Sequence, residues 1–226
     1  MSAQQPSLPA ATPIWRFRWL ILGAALALGI GGGVAIALLR SSSPATSFAK
    51  AVGGPGISWK AGTKRAPGFS LTDQNGKPVS LASFRGRPVI VTFIDPLCRN
   101  LCPLEAKVLD QVAASFPAGQ RPAIVAVSVN QWANARKNLL QDEQKWKLPS
   151  DWHWAVGSPR ALARVWRDYS IGVTAVTKTI AGIKVHRITH TEASMIVDPS
   201  GYQRALYVYP FTASDVEHTL RTLERA

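Results

Sequence analysis

The sequence predicts an α/β domain, a mixed sheet with helices on both faces, preceded by a single N-terminal transmembrane helix. Three observations carry that reading. Residues 19–39 form an unbroken uncharged stretch, WLILGAALALGIGGGVAIALL, matching the roughly 20 residues a helix needs to cross about 30 Å of hydrocarbon. Beyond it, β-branched runs at 89–93 and 123–129 alternate with helical periodicity, the pattern of parallel strands joined through helices. An apolar content of 46% with 17% charged residues supplies the side chains of a packed core rather than a disordered chain.

Residues 1–18 read as a cytoplasmic tail, because Arg16 and Arg18 abut the span while Arg40 and Lys50 follow at wider spacing. Trp15, Phe17 and Trp19 suit the aromatic belt of a bilayer interface. The span exceeds the 7–15 apolar residues of a signal peptide, so it is read as an uncleaved anchor in the cell membrane with the main domain outside. Residues 40–58, rich in Ser, Ala, Gly and Pro, read as a flexible linker, leaving 59–226 as the folded domain. The pair Asn75-Gly76 predicts a hairpin between 69–71 and 78–81. Leu104, Val108, Val112 and Phe116 at helical spacing predict a helix over 101–116. A second helix is expected over 133–146, a short strand over 152–156, and a third helix over 159–168 with Ser158 as its cap and Pro159 at its first position. An inserted hairpin over 173–179 and 183–188 follows, then an antiparallel pair over 194–197 and 203–208 around Asp198-Pro-Ser-Gly201. A closing helix over 212–225 completes the domain.

The chain has two cysteines, Cys98 and Cys102, in DPLCRNLCP directly after the run at 89–93. In open α/β sheets, reactive groups collect at such carboxyl ends of strands. Thiols at i and i+4 share one face of a first helical turn, where they close a disulfide or together hold a soft metal ion. A helix N-terminus favours thiolate, and Arg99 adds to this if it turns inward. Residue types alone leave the redox, metal and structural-disulfide readings open.

Phe93-Ile-Asp-Pro-Leu-Cys98-Arg-Asn-Leu-Cys102-Pro103 resembles the CxxxCP segment of the Sco/SenC proteins, and His190 through Asp198-Pro-Ser-Gly201 resembles the family's histidine segment in the same register. The resemblance covers about residues 60 to 226. It implies a thioredoxin-like fold and a membrane-anchored copper metallochaperone, not an enzyme. It further implies one copper ion, Cu(I) or alternatively Cu(II), held by Cys98, Cys102 and His190. The implied partner is the copper-bearing subunit of cytochrome c oxidase, or another copper protein. His186 is the rival ligand; His153 and His218 are read as bystanders. The chain departs from the family in having Arg99 and Asn100 between the cysteines. It departs again at Asn130, where the family's SVDPxxD pattern has an acid. Both changes lead us to expect a less negative site. Asp95 is read as a turn residue.

The alternative is a membrane-tethered thiol–disulfide oxidoreductase using Cys98 and Cys102 as its redox pair. Against it, the cysteines stand one residue further apart than CxxC, and Glu192 falls where a thioredoxin carries its cis-proline. A peroxiredoxin would need threonine where Asp95 stands. The formal charge of +13 comes from scattered Lys and Arg without a nucleic-acid motif. It is assigned to an anionic lipid surface or an acidic protein face instead.

Overall fold

The computed structural model describes residues 54–149 and 152–223. The predicted tail and membrane span, and most of the linker, lie outside them. No helix among the described residues is long and apolar enough to cross a membrane. Two residues of the segment read as linker, Ile57–Ser58, form a short edge strand, β1. Ser70–Thr72 (β2) and Pro78–Ser80 (β3) pair as the expected hairpin. Asp73 Oδ1 closes its turn by accepting from the amides of Asn75 and Lys77, each at 2.8 Å, while Gly76 takes φ +79°.

The chain then runs through Val89–Ile94 (β4), Leu101–Ala114 (α1), Ala123–Ser128 (β5), Arg136–Trp146 (α2), Trp152–Ala155 (β6) and Pro159–Asp168 (α3). Ser158 caps α3 by accepting from the Ala161 amide, with proline in its first turn. Val173–Ile180 (β7) and Ile183–His190 (β8) form a separate two-stranded ribbon. Ala193–Val197 (β9), Gln203–Val208 (β10) and Ala213–Leu223 (α4) complete the fold. The main sheet has the order β1-β10-β9-β4-β5-β6, with β4 parallel to β5 and antiparallel to β9.

Every residue of β4 and β5 is buried, as a strand covered on both faces requires. Alternation then sorts their side chains. Val91, Phe93, Val125 and Val127 join a core with Leu162 and Val165 of α3 and the β2–β3 hairpin. Ile90, Ile94, Ile124 and Ala126 pack on the opposite face against Leu109 of α1, Leu139 of α2 and Val216 and Leu220 of α4. Thr92, a polar residue on that second face, interrupts the apolar pattern beside the cysteine-bearing helix.

Candidate metal centre

Cys98 lies in the loop after β4 and Cys102 in the first turn of α1, so one short segment fixes both thiols at the carboxyl end of the central strand. Asp95 shapes that loop. Its Oδ1 accepts from the Leu97 amide at 2.8 Å and from Asn130 Nδ2 at 2.9 Å. The turn role expected of Asp95 is therefore realised, and Asn130 supplies a donor where a second carboxylate would repel. Cys102 is fully buried and Cys98 half-buried, and both are free thiols.

The two sulfurs behave as a coupled pair. The Cys102 amide donates to Cys98 Sγ at 3.4 Å. Hydrogen bonding from the Cys102 side chain and the backbone amides of Asn100 and Cys102 lowers the Cys98 pKa from 9.0 to about 6, although burial and the Asp95 charge oppose the shift. Cys102 shifts upward, because it is the donor to Cys98 and is itself desolvated. One thiolate and one thiol therefore share the site near neutral pH. Arg99 does not contribute as expected. Its Nη1 donates to the Cys98 carbonyl at 2.9 Å and to Asp142 Oδ1 at 3.5 Å, which turns the guanidinium toward α2.

His190 is the last residue of β8, opposite Val173 in the ribbon, and its side chain is 7% exposed. Its Nε2 lies 3.7 Å from Cys102 Sγ, and its Nδ1 lies 3.2 Å from the Thr191 carbonyl. A carbonyl only accepts, so Nδ1 carries the hydrogen in the neutral ring and Nε2 faces the thiol with its lone pair. The rival His186 is occupied elsewhere: its ring stacks on Trp132 at 3.9 Å between centroids, and its Nδ1 pairs with Thr177 Oγ1 at 2.9 Å. His153 packs against Phe84 at 5.1 Å, and His218 lies in α4.

Sequence reading missed Glu192 as a member of this cluster. Its Oε1 stands 3.5 Å from Cys102 Sγ and 4.0 Å from His190 Nε2. The ligand atoms of Cys98, Cys102 and Glu192 lie within 4.8 Å of one another. Glu192 thus brings an acid to the site from a strand connection, away from the positions of Arg99, Asn100 and Asn130. Beneath the site, Glu105 of α1 is fully buried. Its Oε1 accepts from Thr92 Oγ1 and Ser194 Oγ, each at 2.8 Å, two hydroxyls that the β4–β9 register sets side by side. Burial raises the Glu105 pKa from 4.5 to about 7, partly offset by those two hydrogen bonds. Asp95, Cys98, Asn100, Leu101, His190 and Glu192 line a cleft of about 290 Å³ over the sulfurs.

The donor set suits a soft cation. Ligands bound to one ion at about 2.0–2.3 Å stand about 3.3–3.8 Å from one another, close to the observed 3.7 Å from Cys102 Sγ to His190 Nε2. Fold and site thus define a thioredoxin-like domain with a dithiol–imidazole cluster at the end of its central strand. Its family follows from the SCO1/SenC family model, which matches residues 60–225, and the chain belongs to that family. No curated protein sequence matches it. Among solved structures it is similar to Bradyrhizobium japonicum ScoI with copper bound (20% identity, TM-score 0.60, covering 71% of this chain and 98% of that one). It is similar to yeast Sco1 with copper bound at 12% identity and TM-score 0.63, covering 72% and 90%. A third likeness is to BsSco, described as having a disulfide switch and as a member of the Sco family of cytochrome c oxidase assembly proteins, at 19% identity and TM-score 0.56, covering 74% and 96%. At these identities the likeness is one of fold.

Proposed function

We propose that this protein is a copper metallochaperone that carries one Cu(I) on Cys98, Cys102 and His190. Its client would be the dinuclear copper centre of a cytochrome c oxidase subunit, or another copper protein. The observation that carries the reading is the approach of His190 Nε2 to within 3.7 Å of Cys102 Sγ, beside a second sulfur held one helical turn away. Two soft thiolates and one imidazole satisfy Cu(I) in three-coordinate form. Copper-bound relatives of the same fold support the choice of metal.

The ion here is cargo rather than a resident cofactor. The chain's own contribution is to pre-form the donors on rigid elements while Cys98 remains partly exposed. An incoming ligand can then replace one donor at a time. Leu97 and Leu101, 44% and 45% exposed beside Cys98, give a partner an apolar rim to cover. The uncharged segment at 19–39 supports a single-pass anchor that holds this domain on the outer face of the cell membrane, with residues 40–58 as the tether and 1–18 in the cytoplasm.

One observation favours a second reading. A thiolate at Cys98 beside a protonated Cys102 is the arrangement of an attacking and a resolving cysteine, so thiol–disulfide exchange with a client is the alternative. Competition for Cu(I) against a chromophoric chelator, with the full chain reduced in detergent, separates the two. Wild type holds one ion per chain, Cys98→Ser and Cys102→Ser lose it, and His190→Ala binds markedly more weakly, whereas His186→Ala binds as wild type does. A wild type that binds no copper yet reduces a client disulfide establishes the oxidoreductase.

A further inference from the structure

Glu192 combines three properties that a passive carboxylate lacks. Its backbone is fixed: its carbonyl accepts from the Tyr209 amide at 3.0 Å, and the preceding residue is clamped by the Thr191 amide donating to the Gly172 carbonyl at 2.9 Å. Its side chain is 14% exposed, and its Oε1 lies 4.0 Å from His190 Nε2. No lysine or arginine among the described residues pairs with it. It also shares its cleft with the Cys98 sulfur and Asp95, above the buried Glu105. Glu192 Oε1 accepts from Cys102 Sγ at 3.5 Å, so a metal ion that replaces this thiol proton has the carboxylate oxygen within reach beside both sulfurs.

We infer that Glu192 is an additional, oxygen donor, so that the cluster takes divalent ions as a four-coordinate Cys98–Cys102–His190–Glu192 site. Glu192 then sets the balance between divalent ions and Cu(I). This rests on the copper-carrier reading above and extends it to divalent ions that leave the thiols reduced. The chemistry follows from donor hardness and charge. Two thiolates and an imidazole complete the preferred shell of Cu(I), which gains little from a hard carboxylate oxygen. A divalent ion prefers a fourth ligand, and its second positive charge compensates both thiolates, leaving Glu192 attracted rather than repelled. Glu192 follows His190 by two residues, so one strand connection delivers both the nitrogen and the oxygen donor. This oxygen also supplies the negative charge that Arg99 and Asn100 do not bring to the loop between the cysteines.

Co(II) tests the inference without oxidising the thiols, as Cu(II) would. The reduced full chain in detergent is titrated anaerobically with Co(II), followed by its thiolate charge-transfer and d–d bands, and separately with Cu(I) against a chelator. Glu192→Gln is expected to leave Cu(I) affinity within about threefold of wild type while weakening Co(II) by about 10–100-fold and changing the d–d spectrum. Retained Cu(I) binding certifies that the variant is folded. An unchanged Co(II) affinity and spectrum overturns the inference, as does equal loss of both ions. A wild type that takes Cu(I) but no Co(II) also overturns it while leaving the chaperone reading standing. A wild type that takes neither ion removes that reading, and with it this one.

Discussion

Replacing Glu105 by Gln tests the account of what lies beneath the site. Glu105 is buried against β4 and β9, its Oε1 takes two hydroxyl donors, and its Oε2 is buried without a hydrogen-bond partner. Its folded pKa of about 7 against an ordinary 4.5 means that ionisation is resisted in the folded state. The stabilising effect of the protonated acid is complete below pH 4.5 and is lost as pH rises through 7. Two and a half pH steps at about 1.4 kcal/mol each give about 3 kcal/mol as the upper end of that loss. Glutamine keeps the acceptor and cannot ionise. The difference in unfolding free energy, Glu105→Gln minus wild type, therefore rises by up to about 3 kcal/mol between pH 4.5 and 7.5 and is level outside that window. Denaturant unfolding of the reduced protein, followed by tryptophan fluorescence across that pH range, measures it. A difference that stays flat, or that falls with pH, refutes the assignment of a neutral carboxyl under the sulfurs.

Three further outcomes follow from the same geometry. Alkylation by iodoacetamide mapped by mass spectrometry modifies Cys98 with a midpoint near pH 6, spares Cys102 up to pH 9, and shifts to a higher midpoint in Cys102→Ala, which removes the principal donor. Trp132→Ala removes the stack on His186, costs about 0.5–1.5 kcal/mol beyond lost area, and speeds amide exchange in β7 and β8 without changing protection in β4. If both ribbon strands keep their protection, Trp132 does not anchor them. Thr92→Val leaves Glu105 one donor fewer and raises its titration midpoint above that of wild type, as followed by infrared absorption of the carboxyl.

Much of the fold was legible because periodicity reports burial directly. The strands β4 and β5, rich in Val and Ile, are buried on both faces, and the Ser158-Pro159 start of α3 stands where capping chemistry places it. The register from His190 to Asp198-Pro199 was legible only through the resemblance to the Sco/SenC histidine segment, and β9 leads from one to the other. What was not legible depends on contacts between distant segments. Glu192 looked like a residue occupying a proline's position, because nothing in Thr-Glu-Ala signals a ligand. Only the antiparallel pairing of β9 with β4 carries it to the sulfurs, 90 residues from Cys102 in sequence. Arg99 was placed correctly in the chain, but its direction is set by Asp142 on α2. The strand β1 has two residues, too few for any periodicity, and exists through its pairing with Leu206 and Ala205. The helix α2 starts at Arg136 rather than near 133 because Ala133 is held in a turn by its bond to the Asn130 carbonyl.

The central claim is the identity of the donors, and copper-edge X-ray absorption on the Cu(I)-loaded full chain reads it directly. Two sulfur scatterers and one imidazole nitrogen are expected, with the nitrogen signal lost in His190→Ala and retained in His186→Ala. A shell of sulfur alone, or an imidazole that survives in His190→Ala, contradicts that claim.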